Sequence, residues 1–300
     1  KKTIFLIFDA YSSPKEVSKL DANIDTEKLV NYLKSNNWIV KREFYSLEGS
    51  TYNSVPSILN YNLSDRTKPN QYFSDFKKTF YHRTRGKTKL IEDLKLKKVN
   101  YKNYTQLKID GIDESDSLNI HQSVNYGPFE YKFSELKSFM PFKNYIENSE
   151  LFFKFFGKSI FSQIFTNVLP FEDRFPANNK KLFSLLNKTE IEKYDFIIYH
   201  FVMPHAPFSY FDEFTADATE KPTLQYAKFW DFTNNKIINF LKSIDYSEYR
   251  VIISTDHGYR HSSKLNRLNT FGAFYGFDES DVNKVEFVQD IGSLINHSFK

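Results

Sequence analysis

Three short stretches hold residue types that can do chemistry together. They are Phe8-Asp9-Ala10-Tyr11, Thr51-Tyr52-Asn53-Ser54-Val55-Pro56-Ser57 and Ser254-Thr255-Asp256-His257-Gly258. Between them they supply two carboxylates, an imidazole and an alcohol. Oxygen and imidazole donors of this kind suit one divalent cation. An alcohol is a poor nucleophile at neutral pH unless such a cation lowers the pKa of its hydroxyl. The chemistry this points to is phosphoryl or sulfuryl transfer through an activated Thr or Ser.

Other residues extend the set. Gly258 lets the chain bend sharply, so that Asp256 and His257 can turn toward one cation. Gly49-Ser50-Thr51 before a helix puts a hydroxyl beside free backbone N–H groups, a natural anion cradle. His200 precedes Met203-Pro204-His205-Ala206-Pro207-Phe208, where two prolines fix the direction of His205. Such a His can donate to a non-bridging oxygen or protonate a leaving group. Arg260, His261 and Lys264 follow the Asp-His pair and can neutralise a phosphate or sulfate. Each stretch alone has an ordinary explanation. Asp9 can be a helix cap, Asp256-His257-Gly258 a structural turn, and Gly49-Ser50-Thr51 an N-cap run. His205 can be packed in its loop, and Lys264 can belong to a solvated loop. The argument rests on their conjunction.

The elements that must position them are legible as periodicities. Thr3–Phe8, Phe196–His200 and Val251–Ile253 are continuous apolar runs, as in strands buried on both faces. A helix capped by Asp25 or Thr26 carries Leu29, Val30 and Leu33, and Trp38–Tyr45 reads as a second strand. A helix is expected from about Ser54, with Pro56 in its first turn. Another is expected from about Thr223 to Ser243, then a strand over Phe271–Phe277 and a short helix after Phe287–Ile291. Strands alternating with helices predict an α/β fold: a mainly parallel sheet covered on both faces. In such sheets the ligand site lies at the C-terminal strand ends, where Asp9, His200 and Asp256 fall. Residues of about 64–190 break the pattern and read as an insertion or cap. They hold a basic helix (Lys87–Lys98), an acidic turn-rich piece (Asp110–Asp116) and a Phe-rich helix (Leu151–Leu169). Burial against the core, or contact with lipid, would explain that last helix.

The bulk numbers exclude some classes. With 300 residues and 40% hydrophobic content, one large domain can form a core. The 32 Phe and 20 Tyr, beside many Lys, Asn and Ile, reflect an AT-rich coding bias. A net charge of +4, spread along the chain, leaves no nucleic-acid footprint. The absence of Cys rules out disulfides, Cys-ligated zinc and a Cys nucleophile. No apolar run reaches the roughly 18 residues needed to span a bilayer, and there is no signal peptide. The chain opens two residues before a core-like strand. That predicts a piece of a longer protein whose upstream membrane or signal segment is missing.

With these residues in this order, the chain resembles the alkaline phosphatase and sulfatase superfamily. Within it the resemblance is to the branch of phosphoethanolamine transferases, lipoteichoic acid synthases and membrane-linked sulfatase-like proteins. The order Asp9, Thr51, His205, Asp256-His257-Gly258 carries it, with Thr51-x-x-Ser54-x-Pro56 similar to the transferase nucleophile motif. It covers about residues 1–62 and 194–295. The resemblance implies a three-layer sandwich forming a single sulfatase-like catalytic domain over residues 1–300, with the insertion at about 64–190. It implies one divalent metal ion (zinc, manganese or magnesium) held by Asp9, Thr51, Asp256 and His257. Thr51 and His205 would be catalytic, with a phospho-Thr51 intermediate, and His200, Arg260, His261 and Ser54 would contact substrate. The implied substrate is an anionic phosphate- or sulfate-bearing lipid or glycan. The implied place is outside the cytoplasm, in the periplasm or on the outer face of the cell membrane, with a membrane surface as a possible partner and no nucleic-acid partner.

Two departures from the sulfatases favour phosphoryl transfer. Ser54-Val55-Pro56-Ser57 looks like the start of their modified Ser/Cys motif, but Ile58 stands where Arg is expected. Asp9 is followed by Ala10, where sulfatases carry a second Asp. The Asp-x-x-x-His group of two-metal phosphatases is also missing, which favours one metal, although His261 leaves room for a second cation. Two other readings remain at this stage: a sulfatase acting through a modified Ser54, and a catalytically silent glycan-binding module.

Overall fold

The structure is a computed structural model and describes residues 1–61, 88–105, 171–210 and 213–299. Its strands are β1 (Lys2–Phe8), β2 (Ile39–Tyr45), β3 (Tyr101–Tyr104), β4 (Phe196–Phe201), β5 (Ser209–Tyr210), β6 (Phe214–Thr215), β7 (Tyr249–Thr255) and β8 (Asn269–Tyr275). Six of them form one sheet in the order β2-β8-β7-β1-β4-β3. β1 pairs in parallel with β4 and β7, and β3 in parallel with β4. β8 runs antiparallel to both β7 and β2, so the sheet is mostly parallel with one reversed strand.

The apolar runs explain the layers. Along β1, Ile4, Leu6 and Phe8 join one core cluster, and Phe5 and Ile7 join another. The period of two sends alternate side chains to opposite faces. Helices α1 (Pro14–Val17), α2 (Lys28–Ser35), α5 (Phe171–Leu185), α6 (Lys188–Ile191) and α7 (Pro222–Ser243) contribute buried residues to the first face. α3 (Thr51–Leu59), α4 (Lys89–Leu96), α8 (Glu279–Asn283) and α9 (Ile291–Ser298) contribute to the second. This is the expected three-layer α/β sandwich. Each fully buried Phe, Ile or Leu of the central strands contributes roughly 1.5–3 kcal/mol relative to exposure. No helix among the described residues is long and apolar enough to cross a membrane.

Several local expectations need correction. Helix α3 begins at Thr51, three residues earlier than predicted, and Pro56 lies mid-helix at its sixth position. The reason is Ser50, extended at φ −152°, whose carbonyl already accepts the N–H groups of Asn53 and Ser54. Helix α2 starts after Glu27. Asp25 does not cap it but takes the Glu27 N–H in the preceding turn. Strand β8 ends at Tyr275, because Gly276 turns at φ +75° with the Tyr249 carbonyl 2.6 Å from any added Cβ. Parts of the stretch 64–190 join the main sheet and core. Leu90, Ile91 and Leu94 of α4 are buried in the second core cluster, and β3 is the edge strand beside β4. Asp110–Asp116 and Leu151–Leu169 lie outside the described residues.

Candidate active site

The parallel pairing of β1 with β7 places Phe8 opposite Thr255, so the next residues on each strand are Asp9 and Asp256. Both carboxylates therefore emerge at the C-terminal edge of the sheet. Ala10 then turns at φ 61°, a left-handed conformation that costs an L-residue roughly 1–2 kcal/mol. Its N–H points to Asp256 Oδ1 at 3.3 Å, and the His257 N–H reaches the same oxygen at 2.7 Å. Tyr226, buried on α7, fixes the turn. Its hydroxyl donates to the Ala10 carbonyl at 2.8 Å and accepts from the Ser12 N–H at 3.0 Å. Ser12 Oγ accepts from the Tyr259 N–H, and a Cβ on Gly258 would meet that oxygen at 2.9 Å. Glycine at 258 is what lets the Asp256-His257 turn close against the Asp9 turn.

Thr51, the first residue of α3, brings its hydroxyl 2.5 Å from Asp256 Oδ2 and 3.4 Å from His257 Nε2. His257 Nε2 is also 3.4 Å from Asp9 Oδ1 and 3.7 Å from Asp256 Oδ2. On the other side of the ring, His257 Nδ1 lies 2.8 Å from the Gly258 carbonyl. A carbonyl only accepts, so Nδ1 carries a proton, and Nε2 is the ring atom that faces the carboxylates. Asp9 Oδ1 is buried, with no hydrogen-bond partner among the described residues. The Asp9 carboxylate oxygen, His257 Nε2 and the Thr51 hydroxyl converge, and ligating atoms of Asp9, Asp256 and His257 lie within 4.8 Å of one another. The residues fit a divalent cation: the donors are of the right kind, and the imidazole is oriented by a backbone carbonyl, as metal-binding His usually is.

The electrostatics agree. Burial pushes the Asp9 carboxyl up to about 7, helped by the Asp256 charge and opposed by His257 and Arg260. Burial alone would raise Asp256 as well, but His257, His200 and the hydrogen bonds from Thr51 and the His257 N–H hold it below the ordinary carboxylate value. Two close carboxylates pushed apart in this way await a positive charge.

The structure thus brings Asp9, Thr51, Asp256 and His257 together. His200 sits beside them, with Nε2 3.9 Å from Asp256 Oδ2. It is fully buried, neither ring nitrogen has a hydrogen-bond partner among the described residues, and burial drives its pKa down to about 4. His205 is half-buried between Pro204 and Pro207, each preceded by a cis peptide bond, with Nδ1 2.6 Å from the Ala206 carbonyl. Burial lowers its pKa and the Arg260 charge lowers it further. Arg260 and His261 are exposed, and His261 leans edge-on against Tyr259 at 5.7 Å. Ser54 is different. It is fully buried, and its Oγ accepts from Gln289 Nε2 at 2.9 Å and lies 3.5 Å from Ser46 Oγ, so it faces the core and not the carboxylate cluster.

Sequence reasoning missed the residues that hold this arrangement. Asn179 brackets Val202 with two hydrogen bonds, 2.8 Å to its N–H and 2.9 Å to its carbonyl, and so anchors the loop that carries His205. Tyr226 and Gln289 act in the same way on other segments. Their partners are far away in sequence, and no short motif marks them.

No family model matches the sequence, and no curated protein matches it. Solved structures do. Lipooligosaccharide phosphoethanolamine transferase A (EptA) from Neisseria meningitidis, an integral membrane protein, aligns with a TM-score of 0.55 at 12% identity, over 99% of this chain and 54% of that one. The fold is alkaline-phosphatase-like. The C-terminal periplasmic domain of EcEptC from Escherichia coli, in complex with Zn, aligns with a TM-score of 0.50 at 10% identity, over 97% of this chain and 80% of that one. This chain spans about half the length of the Neisseria transferase. On an alkaline-phosphatase-like fold the carboxylates occupy the strand ends where α/β sheets place ligands.

Proposed function

We propose that this chain is a metal-dependent phosphoryl-transfer enzyme that works through Thr51. The observation that carries the proposal is the Thr51 hydroxyl, hydrogen-bonded to Asp256 at the start of a helix and facing the buried Asp9–His257 pair. Asp9, Thr51, Asp256 and His257 would hold one divalent cation. Bound there, it would lower the hydroxyl pKa and offset charge on the transferred group.

The chain's own residues do the rest. Asp256 Oδ2 orients the Thr51 proton away from the attacking lone pair. The N–H groups of Thr51 and Tyr52, the first of α3, would help to neutralise the anion that Thr51 attacks. The Thr51 Oγ–P bond would form as the bond from phosphorus to the leaving oxygen breaks; the Thr51 proton would pass to Asp256 Oδ2, and the leaving oxygen would take its proton from water or from His205 in its protonated form. In the second half an acceptor alcohol or water would attack phosphorus, the Thr51 Oγ–P bond would break, Thr51 would take its proton back from Asp256, and the acceptor's proton would pass to His205 or to water. Arg260 adds positive charge at the exposed edge.

The substrate class we propose is a phosphate-bearing lipid headgroup or cell-envelope glycan, handled outside the cytoplasm in a chain anchored by an upstream segment. The membrane-integral Neisseria phosphoethanolamine transferase and the periplasmic EcEptC domain in complex with Zn support this reading. The burial of Ser54 and its bond to Gln289 weigh against a sulfatase acting through that residue. The test is intact-mass analysis after rapid quenching with a phosphodiester donor. Mass gained on Thr51, and missing in Thr51→Ala, is expected. Loss of two hydrogens at Ser54 would indicate the sulfatase chemistry instead, and a chain that neither binds metal nor turns over would be a silent binding module.

A further inference from the structure

Beneath the carboxylates lies a buried polar knot that the proposed reaction does not use. Its centre is Gln289, fully buried in the 3-10 turn Val288–Asp290 that leads into α9. Gln289 Oε1 accepts the Leu47 N–H at 2.8 Å. Its Nε2 donates to Ser54 Oγ at 2.9 Å and to Ser46 Oγ at 3.1 Å. One amide thus uses both donors and an acceptor on three partners from two other segments. Ser46 Oγ in turn lies 2.7 Å from the main-chain oxygen of Asp256 and 2.8 Å from that of Glu48. Ser46 and Ser54 are themselves buried.

The connections define what this knot can do. Ser54 sits one turn after Thr51 on α3, so holding Ser54 fixes the rotation and height of the helix start. Leu47 and Ser46 fix the turn that delivers Thr51. Ser46 reaches the backbone of Asp256, the residue that the Thr51 hydroxyl touches. In an apolar interior each of these groups costs free energy if left unpaired, so the knot holds its geometry stiffly.

We infer that Gln289 is a positioning residue that sets the Thr51 hydroxyl against the Asp256 carboxylate and so fixes the geometry of the cation site. The inference rests on the proposed cation site, and a displaced supporting group loosens such sites even when every ligand remains.

The test uses zinc alone as the probe, titrated calorimetrically into the full 300-residue chain. Gln289→Leu keeps a similar volume and removes all three hydrogen bonds. It is expected to weaken zinc binding about 10-fold or more, the range for supporting groups of metal ligands. Should that variant fail to fold, Ser46→Ala is the milder probe and is expected to weaken zinc binding in the same direction. Ile58→Val, in the same helix and core but with no polar role, controls for general loosening and should change the affinity by less than about twofold. Wild-type affinity in both Gln289→Leu and Ser46→Ala would overturn the inference, as would an equal loss in Ile58→Val. If wild type itself takes up no zinc, manganese or magnesium, the proposed function falls first and this inference with it, a result distinct from variants that merely match a binding wild type.

Discussion

The hydroxyl of Thr51 and the carboxylate of Asp256 meet at 2.5 Å although 205 residues separate them in the chain. Two independent elements create the contact. The β7 end delivers Asp256, whose Oδ1 is taken by the N–H groups of Ala10 and His257. That leaves Oδ2 for the hydroxyl. The start of α3 delivers Thr51. A carboxylate fixed by backbone on one oxygen and facing an alcohol with the other is the arrangement a nucleophilic hydroxyl needs.

Thr51→Ala should therefore remove the reaction and spare the fold. With a phosphodiester substrate, turnover should fall by at least about 10³-fold, as for loss of other nucleophiles. Thr51 is only partly buried, so stability in urea should change by less than about 1 kcal/mol. Retention of most activity would remove Thr51 from the mechanism.

Tyr226→Phe should loosen the Asp9 turn. It deletes one hydroxyl that serves both the Ala10 carbonyl and the Ser12 N–H, and leaves the latter buried. The expected cost is about 1–3 kcal/mol in denaturant unfolding. The ring stack with Tyr259, at 4.1 Å, is kept, so a fully folded variant is expected. An unchanged midpoint would show that the turn holds without the clamp.

Glu190 gives a pH signature for the edge strand. Burial opposes its ionisation, but hydrogen bonds from Lys193 and Tyr104 hold its carboxyl below the ordinary value. A depressed folded-state pKa stabilises above the unfolded value and loses that contribution as pH falls through the folded one. Wild type should therefore exceed Glu190→Gln in stability at neutral pH, by up to about 1 kcal/mol given the partly exposed pair. The difference should fade in acid below the ordinary carboxylate range. Thermal melts of both proteins across that range check it, and a pH-independent gap would contradict it.

How far the sequence reveals this molecule depends on how local each signal is. β1, β4 and β7 are legible because their residues are apolar on both faces. Asp9 and Asp256-His257 stand directly after such runs, so the cluster is legible too. β3 was not, because Tyr101-Lys102-Asn103-Tyr104 is a polar edge strand held by pairing on one side. The start of α3 differs from the sequence expectation because the carbonyl of Ser50, and no side chain, opens the helix. Tyr226, Asn179 and Gln289 were invisible for a stronger reason. Each acts by hydrogen bonds that cross from 23 to 243 residues of chain, and only the fold defines those.

Anomalous diffraction from crystals soaked with zinc would test the central claim most directly. The account predicts one strong peak within about 2.0–2.2 Å of His257 Nε2 and of oxygens from Asp9, Asp256 and Thr51. A peak elsewhere, or full zinc uptake with Asp9 and Thr51 outside its coordination sphere, would contradict it.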